Sequence, residues 1–121
     1  MQIVALNHVA LNVKNLEAAK RFYGEGLGLE ELERPQFDFD GAWYRIGNGQ
    51  ELHLIADPKL ASSRNRQNHH FALQVTDTLA ATKALEERGL TLTLGPINRP
   101  DGVTQIFLAD PDGYIVEISN P

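Results

Sequence analysis

The side chains of this chain best suited to chemistry are three histidines and one glutamate: His8, His53, His70 and Glu117. They occupy matching points of two similar halves, because His70 follows His8 by 62 positions and Glu117 follows His53 by 64. Two repeated modules that each supply half of a ligand set predict a metal site between them. His8, His70 and Glu117 form a two-histidine, one-carboxylate set. That set suits Fe(II), Mn(II), Ni(II), Co(II) or Zn(II) and leaves positions open for water or substrate.

Two of these residues have alternative roles. His53 is either a fourth metal ligand or a nearby acid or base that works close to neutral pH. Glu117 is a ligand and also a candidate base, since a metal-bound carboxylate that detaches can move a proton on a chelated substrate. The competing interpretation is four unrelated side chains on partly exposed sheet faces. Their matched positions favour the metal site, with Glu117 and His53 as the catalytic candidates.

Each half of the sequence has a pattern typical of a βαβββ module, which predicts an α+β fold. Alternating apolar residues and turn signals divide the chain into elements. In the first module they predict strands at 3–13, 29–34, 42–46 and 51–56, and a helix at 16–25. In the second they predict strands at 69–76, 91–96, 103–108 and 114–119, and a helix at 79–88. We therefore predict one domain over 1–121, with modules at about 1–57 and 68–121 and a linker at about 58–67.

Caps and turns mark the ends of these elements. Asn15 is a predicted N-cap of the first helix, and Asp77 or Thr78 of the second. Asn48-Gly49 is a strong hairpin signal. The acidic segment 110–113, with the sequence DPDG, resembles a metal loop in charge, but its residue types are those of a turn, and we assign it a structural role.

The strand pattern also decides which way the candidate ligands point. Side chains alternate along a strand, and all four candidates fall opposite the apolar face of their strand. The apolar faces are predicted to pack under the two helices, and the other faces to line a shared concave surface. On the third strand, either Trp43 and Arg45 or Tyr44 faces that surface, and the pattern does not decide between them.

Composition excludes several classes of function. A net charge of −5 argues against a nucleic-acid partner, because phosphate binding needs a basic surface. No apolar run approaches the length of a membrane span, and the first predicted strand begins too near Met1 to leave room for a signal peptide. The chain has no cysteine, which rules out disulfides and thiolate chemistry and makes a cytoplasmic location the default expectation.

Other charged and titratable residues are expected to lie at the surface. His69 points the opposite way from His70 and is predicted to be a surface residue. Lys59, Arg64 and Arg66 form a small basic cluster in the linker. A solvated loop is the favoured interpretation of this cluster, and attraction of a substrate carboxylate or phosphate is the alternative.

Longer motifs carry a resemblance to a known family. They are LNHVAL at 6–11, FY at 22–23 followed by GLGL at 26–29, HFAL at 70–73 and FLADPDGYIVE at 107–117. Over essentially its whole length, the chain resembles the vicinal oxygen chelate superfamily, which includes glyoxalase I, extradiol dioxygenases and bleomycin-binding proteins. The segment FDFDGAW at 37–43, followed by LHLI at 52–55, is similar to a glyoxalase-I-like subgroup.

The resemblance implies a fold, a site and an activity. The implied fold is paired βαβββ modules whose mixed sheets curl into an open barrel, and small members commonly form homodimers in which both chains supply ligands. His8, His70 and Glu117 match the family ligands, whereas His53 stands where glyoxalase I has glutamate. The implied function is a divalent-metal-dependent isomerase or lyase acting on a small substrate chelated through vicinal oxygens. The alternatives are an Fe(II) extradiol-type dioxygenase and a non-catalytic small-molecule binding or resistance protein.

Overall fold

The computed structural model describes residues 1–61 and 69–121. The first range forms one compact unit and the second belongs to another. The elements of the first unit are β1 His8–Val13, α1 Leu16–Lys20 followed by a π-helical turn Arg21–Gly26, β2 Glu31–Leu32, β3 Gly41–Ile46 and β4 Gln50–Ala56. Those of the second are β5 His70–Gln74, α2 Thr78–Glu87, β6 Leu94–Asn98, β7 Thr104–Ala109 and β8 Ile115–Ser119. Both units therefore have the predicted βαβββ order.

Each unit contains one open, mixed, four-stranded sheet. The strand orders are β1-β4-β3-β2 and β5-β8-β7-β6. In both sheets the first strand of the unit pairs in parallel with the last, and the remaining pairs are antiparallel. The predicted α+β fold class is confirmed, and the repeat seen in the sequence is a repeat of topology.

The predicted strand at 3–13 begins too early. The parallel register of β1 with β4 starts at His8 opposite Glu51, and a single backbone bond from Glu51 N to Asn7 O extends it. Since β4 begins at Gln50, the residues before Asn7 have no strand to pair with, and an unpaired strand is not maintained. Four apolar side chains in this segment are exposed: Met1, Ile3, Val4 and Leu6.

Three further strands differ from their predicted bounds by more than one residue, because the partner strand sets their length. The strand predicted at 29–34 is reduced to the two residues that pair with β3. That predicted at 69–76 keeps the five residues that match β8. The strand predicted at 91–96 is displaced to Leu94–Asn98, where the register with β7 shifts between Leu94 and Ile97.

The first helix is capped as predicted but changes character halfway. The Asn15 side chain accepts a hydrogen bond from Ala18 N at 3.0 Å, which satisfies one of the free N–H groups of the first turn. The expected α-helix over 16–25 is α-helical only to Lys20. It then widens into the π-helical turn, closed by a bond from Leu27 N to Phe22 O, five residues back.

Asp77, rather than Thr78, is the N-cap of the second helix. Asp77 Oδ1 accepts from Leu79 N at 3.0 Å and from Ala80 N at 3.1 Å. The Thr78 hydroxyl is buried and donates instead to Thr104 O on β7 at 3.1 Å, which ties the helix to its sheet. In the part of the chain that the structure describes, no helix is long and apolar enough to cross a membrane.

The apolar face of each sheet packs under its own helix, as predicted. In the first unit the buried side chains are Val13, Ala19, Phe22, Tyr23, Ala42, Tyr44, Leu52 and Leu54. In the second unit they are Leu85, Ile106, Leu108, Val116 and Ile118. Because strand side chains alternate, the opposite face of each sheet is left for the polar candidates.

Tyr44, in the core of the first unit, makes the stability of the protein depend on pH in the alkaline range. Burial, with the charges of Glu31, Glu17 and Glu25, raises the pKa of Tyr44 to about 12. A tyrosine in the unfolded chain ionises near pH 10, so unfolding releases a proton above that pH, and stability falls as pH rises from about 10 to 12. We expect Tyr44→Phe to lose less stability than wild type between pH 7 and pH 11, measured by urea unfolding. An identical loss in both proteins would contradict this explanation.

Candidate functional site

His8 and His53 lie side by side on the face of the first sheet that points away from its core. The parallel register places His53 beside Ala10, two residues along the strand from His8. Their rings stack with centroids 4.2 Å apart and an interplanar angle of 17°. The structure therefore brings together the two candidates that the first half of the sequence supplies.

Hydrogen bonds orient both rings. The Asn7 Oδ1 atom accepts from His8 Nδ1 at 2.8 Å, so a neutral His8 ring has its lone pair on Nε2. In the same way Glu51 Oε1 accepts from His53 Nε2 at 2.8 Å, and a neutral His53 ring has its lone pair on Nδ1. A ring nitrogen held by such a partner is typical of both metal-binding and proton-transferring histidines.

Sequence reasoning did not single out Glu51. The signal was present, because Glu51 and His53 are two residues apart on one strand and so share a face. His53 therefore has a carboxylate beside it on its own strand.

The antiparallel neighbour of His53 is Trp43. Their rings are nearly parallel, at 4° and 4.0 Å between centroids. Tyr44 points to the core instead, so the question left open by the sequence is decided in favour of Trp43 and Arg45 facing the candidate site. Arg45 Nε is 3.1 Å from Glu30 Oε2, which holds its guanidinium at the sheet surface.

Two phenylalanines extend this line of rings. Phe37 lies 6.0 Å from Trp43, and Phe39 stacks on Phe37 at 5.1 Å between centroids. The Arg34 guanidinium lies over both phenyl rings, at 4.8 and 4.9 Å. We call the five rings the aromatic row: Phe39, Phe37, Trp43, His53 and His8.

The second unit pairs a histidine with a carboxylate. His70 Nε2 lies 3.1 Å from Glu117 Oε2, and Gln105 Nε2 donates to Glu117 Oε1 at 2.6 Å. The Glu117 side chain is 8% exposed, whereas that of His70 is 41% exposed. A buried carboxylate needs such partners, so the pair is held in one orientation with its imidazole accessible.

Gln105 is a second residue that sequence reasoning missed. It lies on β7, two residues from Phe107, which is the direct antiparallel partner of Glu117. The ring of Phe107 meets His70 edge-on at 6.1 Å and 83°. Alternation along β7 places Gln105 and Phe107 on the same face, but only the register shows that this face carries Glu117.

The donor chemistry of both pairs fits a divalent metal. Two neighbouring ligands with bonds of about 2.1 Å are about 3 Å apart, which agrees with the separation of His70 and Glu117. His8 and His53 each keep one ring nitrogen with a lone pair. Across residues 1–61 and 69–121 the structure contains no group of three or more His, Cys, Asp or Glu side chains that could hold a metal ion. The four-residue site therefore stays a prediction built on two observed pairs.

The remaining sequence expectations have mixed outcomes. His69 is exposed, as predicted. Asp110 forms a turn, in which its Oδ1 accepts from Asp112 N at 2.9 Å and Tyr114 N at 2.8 Å, so the structural assignment of this segment is confirmed. Of the basic cluster, Lys59 is exposed, and Arg64 and Arg66 lie outside the described residues.

Comparison with known proteins identifies the family. Residues 5–118 match the family described as the glyoxalase/bleomycin resistance protein/dioxygenase superfamily. The match spans nearly the whole chain, and both units have the topology described above. The chain belongs to this superfamily.

Individual relatives are distant but cover the full fold. The chain is 29% identical over 127 residues to "Glyoxylase I 4" of Arabidopsis thaliana, covering 99% of this chain and 72% of that protein. It is 29% identical over 125 residues to lactoylglutathione lyase of Neisseria meningitidis serogroup A, covering 93% and 87%. A crystal structure of a protein assigned to the glyoxalase family from Bacillus anthracis has a TM-score of 0.83 at 27% identity, covering 99% and 97%.

Proposed function

We propose that this protein is a divalent-metal-dependent, glyoxalase-like enzyme of isomerase or lyase type. Its substrate is a small molecule bound to the metal through vicinal oxygens. Four residues are the proposed metal-binding set: His8, His53, His70 and Glu117. Family membership and relatives named as glyoxalase I and lactoylglutathione lyase support the enzyme class.

One observation carries the proposal. Each unit places two ligand-type side chains next to each other, at equivalent register positions, on the face opposite its core. In the first unit Ala10 pairs with His53, and in the second Ala72 pairs with Glu117. The histidine of each pair lies two residues before that alanine. Repetition of this arrangement in both units is not expected of unrelated surface side chains, and it supports a ligand role for the four residues.

Residue roles follow from the hydrogen bonds. When bound, the metal would act as a Lewis acid that stabilises an enediolate or related oxyanion. Gln105 donates to Glu117 Oε1 and Oε2 lies toward His70, so the geometry of Glu117 suits a fixed ligand that binds through Oε2. His53 is held at Nε2 by Glu51 and presents Nδ1, so its geometry suits the acceptor of a substrate proton as well as a ligand.

The same residues support one alternative chemistry. With His8, His70 and Glu117 as ligands and His53 outside the set, the arrangement resembles an Fe(II) ring-cleaving dioxygenase with an active-site histidine. The Glu51–His53 hydrogen bond is the observation that favours the dioxygenase, because it gives His53 a partner independent of the metal. A binding protein without catalysis is the third candidate.

Assembly is part of the proposal. We propose a homodimer, so that each metal centre is completed either within one chain or by two copies of it. Sedimentation velocity across a concentration series measures the association state directly. A protein that is monomeric at all concentrations yet binds a full equivalent of metal would restrict the centre to a single chain.

Reaction assays separate the three candidates. We expect protein loaded with Ni(II), Co(II) or Zn(II) to convert a vicinal-oxygen substrate without consuming oxygen. A first substrate is the hemithioacetal of methylglyoxal and glutathione, followed by its absorbance. Oxygen uptake with catechol that depends on Fe(II) would instead establish the dioxygenase. A ligand that binds equally with and without metal and is recovered unchanged would overturn the enzyme proposal in favour of sequestration.

A further inference from the structure

We infer that the substrate carries an aromatic ring beside its chelating oxygens, and that the aromatic row holds this ring. The inference rests on the proposed function for the chelating end of the substrate. The ring-binding surface itself is formed entirely by described residues of the first unit.

The first observation is that ring contacts run without a break from the candidate histidines to Phe37 and Phe39. From His8 to Phe39, neighbouring ring centroids of the row are separated by 4.0 to 6.0 Å. These separations are close to those of interacting aromatic pairs. A substrate whose oxygens address His53 therefore has aromatic surface directly alongside, on Trp43 and Phe37.

The second observation is exposure. Phe37 and Phe39 are each 43% exposed, although they stack on each other. A single exposed apolar side chain is ordinary, but a contiguous group beside a polar site is typical of a ligand-binding surface. The open parts of these two rings provide the contact area that the inference requires.

The third observation is that the rings are held in place by the protein. Arg34 lies over both phenyl rings and donates from Nη2 to Phe39 O at 2.7 Å, while Phe37 N donates to Pro35 O at 3.0 Å. A surface ordered in advance loses less conformational entropy when a ligand binds. Gly41 allows this arrangement, because a Cβ there would lie 3.1 Å from Arg34 Nε.

The charge of Arg34 narrows the chemical class of the ligand further. Arg34 places a positive charge beside Phe37 and Phe39 in a chain of net charge −5. The Nε atom of Arg34 is buried, so a ligand meets the charge of the guanidinium rather than this atom. An anionic aryl compound with vicinal oxygens therefore matches the cation beside the row and the histidines at its other end.

Three related acids test this inference. Mandelate and lactate have the same vicinal oxygens and charge, and differ in phenyl against methyl; hexahydromandelate replaces the phenyl ring with cyclohexyl. Isothermal titration calorimetry on the full chain, with and without Zn(II), measures each affinity. We expect mandelate to bind about 10-fold more tightly than lactate and about 3-fold more tightly than hexahydromandelate.

Variants connect the preference to the row. In a double variant with Phe37→Leu and Phe39→Leu, we expect the preference for mandelate over lactate to fall to about 2-fold. Leu79→Ala, at a side chain that is 64% exposed in the second unit, is the matched control and should retain the full preference. Metal content of every sample is measured by elemental mass spectrometry.

Each outcome bears on one claim. Equal affinity for mandelate and lactate in wild type, binding of neither by protein that carries its metal, or an unchanged preference in the double variant would overturn the aromatic subsite. Hexahydromandelate binding as tightly as mandelate would overturn the aromatic class. Metal content tests the proposed function separately, since loss of the ring preference with full metal loading leaves the metal centre intact.

Discussion

Replacing His70 with alanine is expected to abolish metal binding. Wild-type protein prepared without chelator should contain about one transition metal ion per proposed centre, and His70→Ala should contain almost none, with affinity at least about 100-fold weaker. The reason is that the variant leaves Glu117 without the nitrogen donor that lies 3.1 Å from it. Elemental mass spectrometry, followed by competition with a chromophoric chelator for Zn(II), measures both quantities.

Two controls make this result specific. His69→Ala removes the neighbouring exposed histidine and should bind metal as wild type does. Glu117→Gln keeps an oxygen that can accept from Gln105 but removes the charge, so it should also lose metal while remaining folded. The metalloenzyme proposal would be contradicted if wild-type protein takes up none of Fe(II), Mn(II), Ni(II), Co(II) or Zn(II).

Replacing Gly41 with alanine is expected to be the most destabilising of the small substitutions in the first unit. A Cβ at this position would lie 2.3 Å from the Leu54 backbone oxygen and 3.1 Å from Arg34 Nε. The carbonyl belongs to the neighbouring strand and cannot move without disturbing the register between β3 and β4. We expect a loss of about 3 kcal/mol in the free energy of unfolding and a fall in Tm of at least about 10 °C.

Gly49 provides the matched control for Gly41. It lies in the turn between β3 and β4, and a Cβ there meets nothing within 4 Å. Gly49→Ala should therefore change stability by less than about 1 kcal/mol. Thermal unfolding followed by circular dichroism compares the two variants under identical conditions. A Gly41→Ala protein as stable as Gly49→Ala would show that the strand pair can separate at low cost.

The sequence repeat predicted the faces of the candidate ligands but not all of their hydrogen-bond partners. Alternation along single strands placed His8, His53, His70 and Glu117 opposite the apolar faces that pack under the helices, because the period of a strand is a local property. The partners of these residues were harder to find. Glu51 was within reach of the same rule, whereas Gln105 depends on the pairing of β7 with β8.

The ends of helices and strands also divide into those set by local contacts and those set by distant partners. Asn15 capped the first helix as predicted, since a cap bonds to N–H groups within three residues. The predicted start of β1 and the predicted length of β5 were wrong. Strands end where their neighbours end, and the neighbours are distant in sequence. Nothing in the local pattern signalled the π-helical turn after Lys20.

By itself, the sequence determined the βαβββ repeat, the α+β class, the family and the faces on which the candidate ligands lie. These properties are local, or follow from motifs repeated along the chain. Tertiary structure decided which residues surround each ligand: the stack of Trp43 on His53, the hydrogen bond of Gln105 to Glu117 and the Arg34 guanidinium over two phenyl rings. Such contacts depend on strand register and loop path, which side-chain periodicity does not specify.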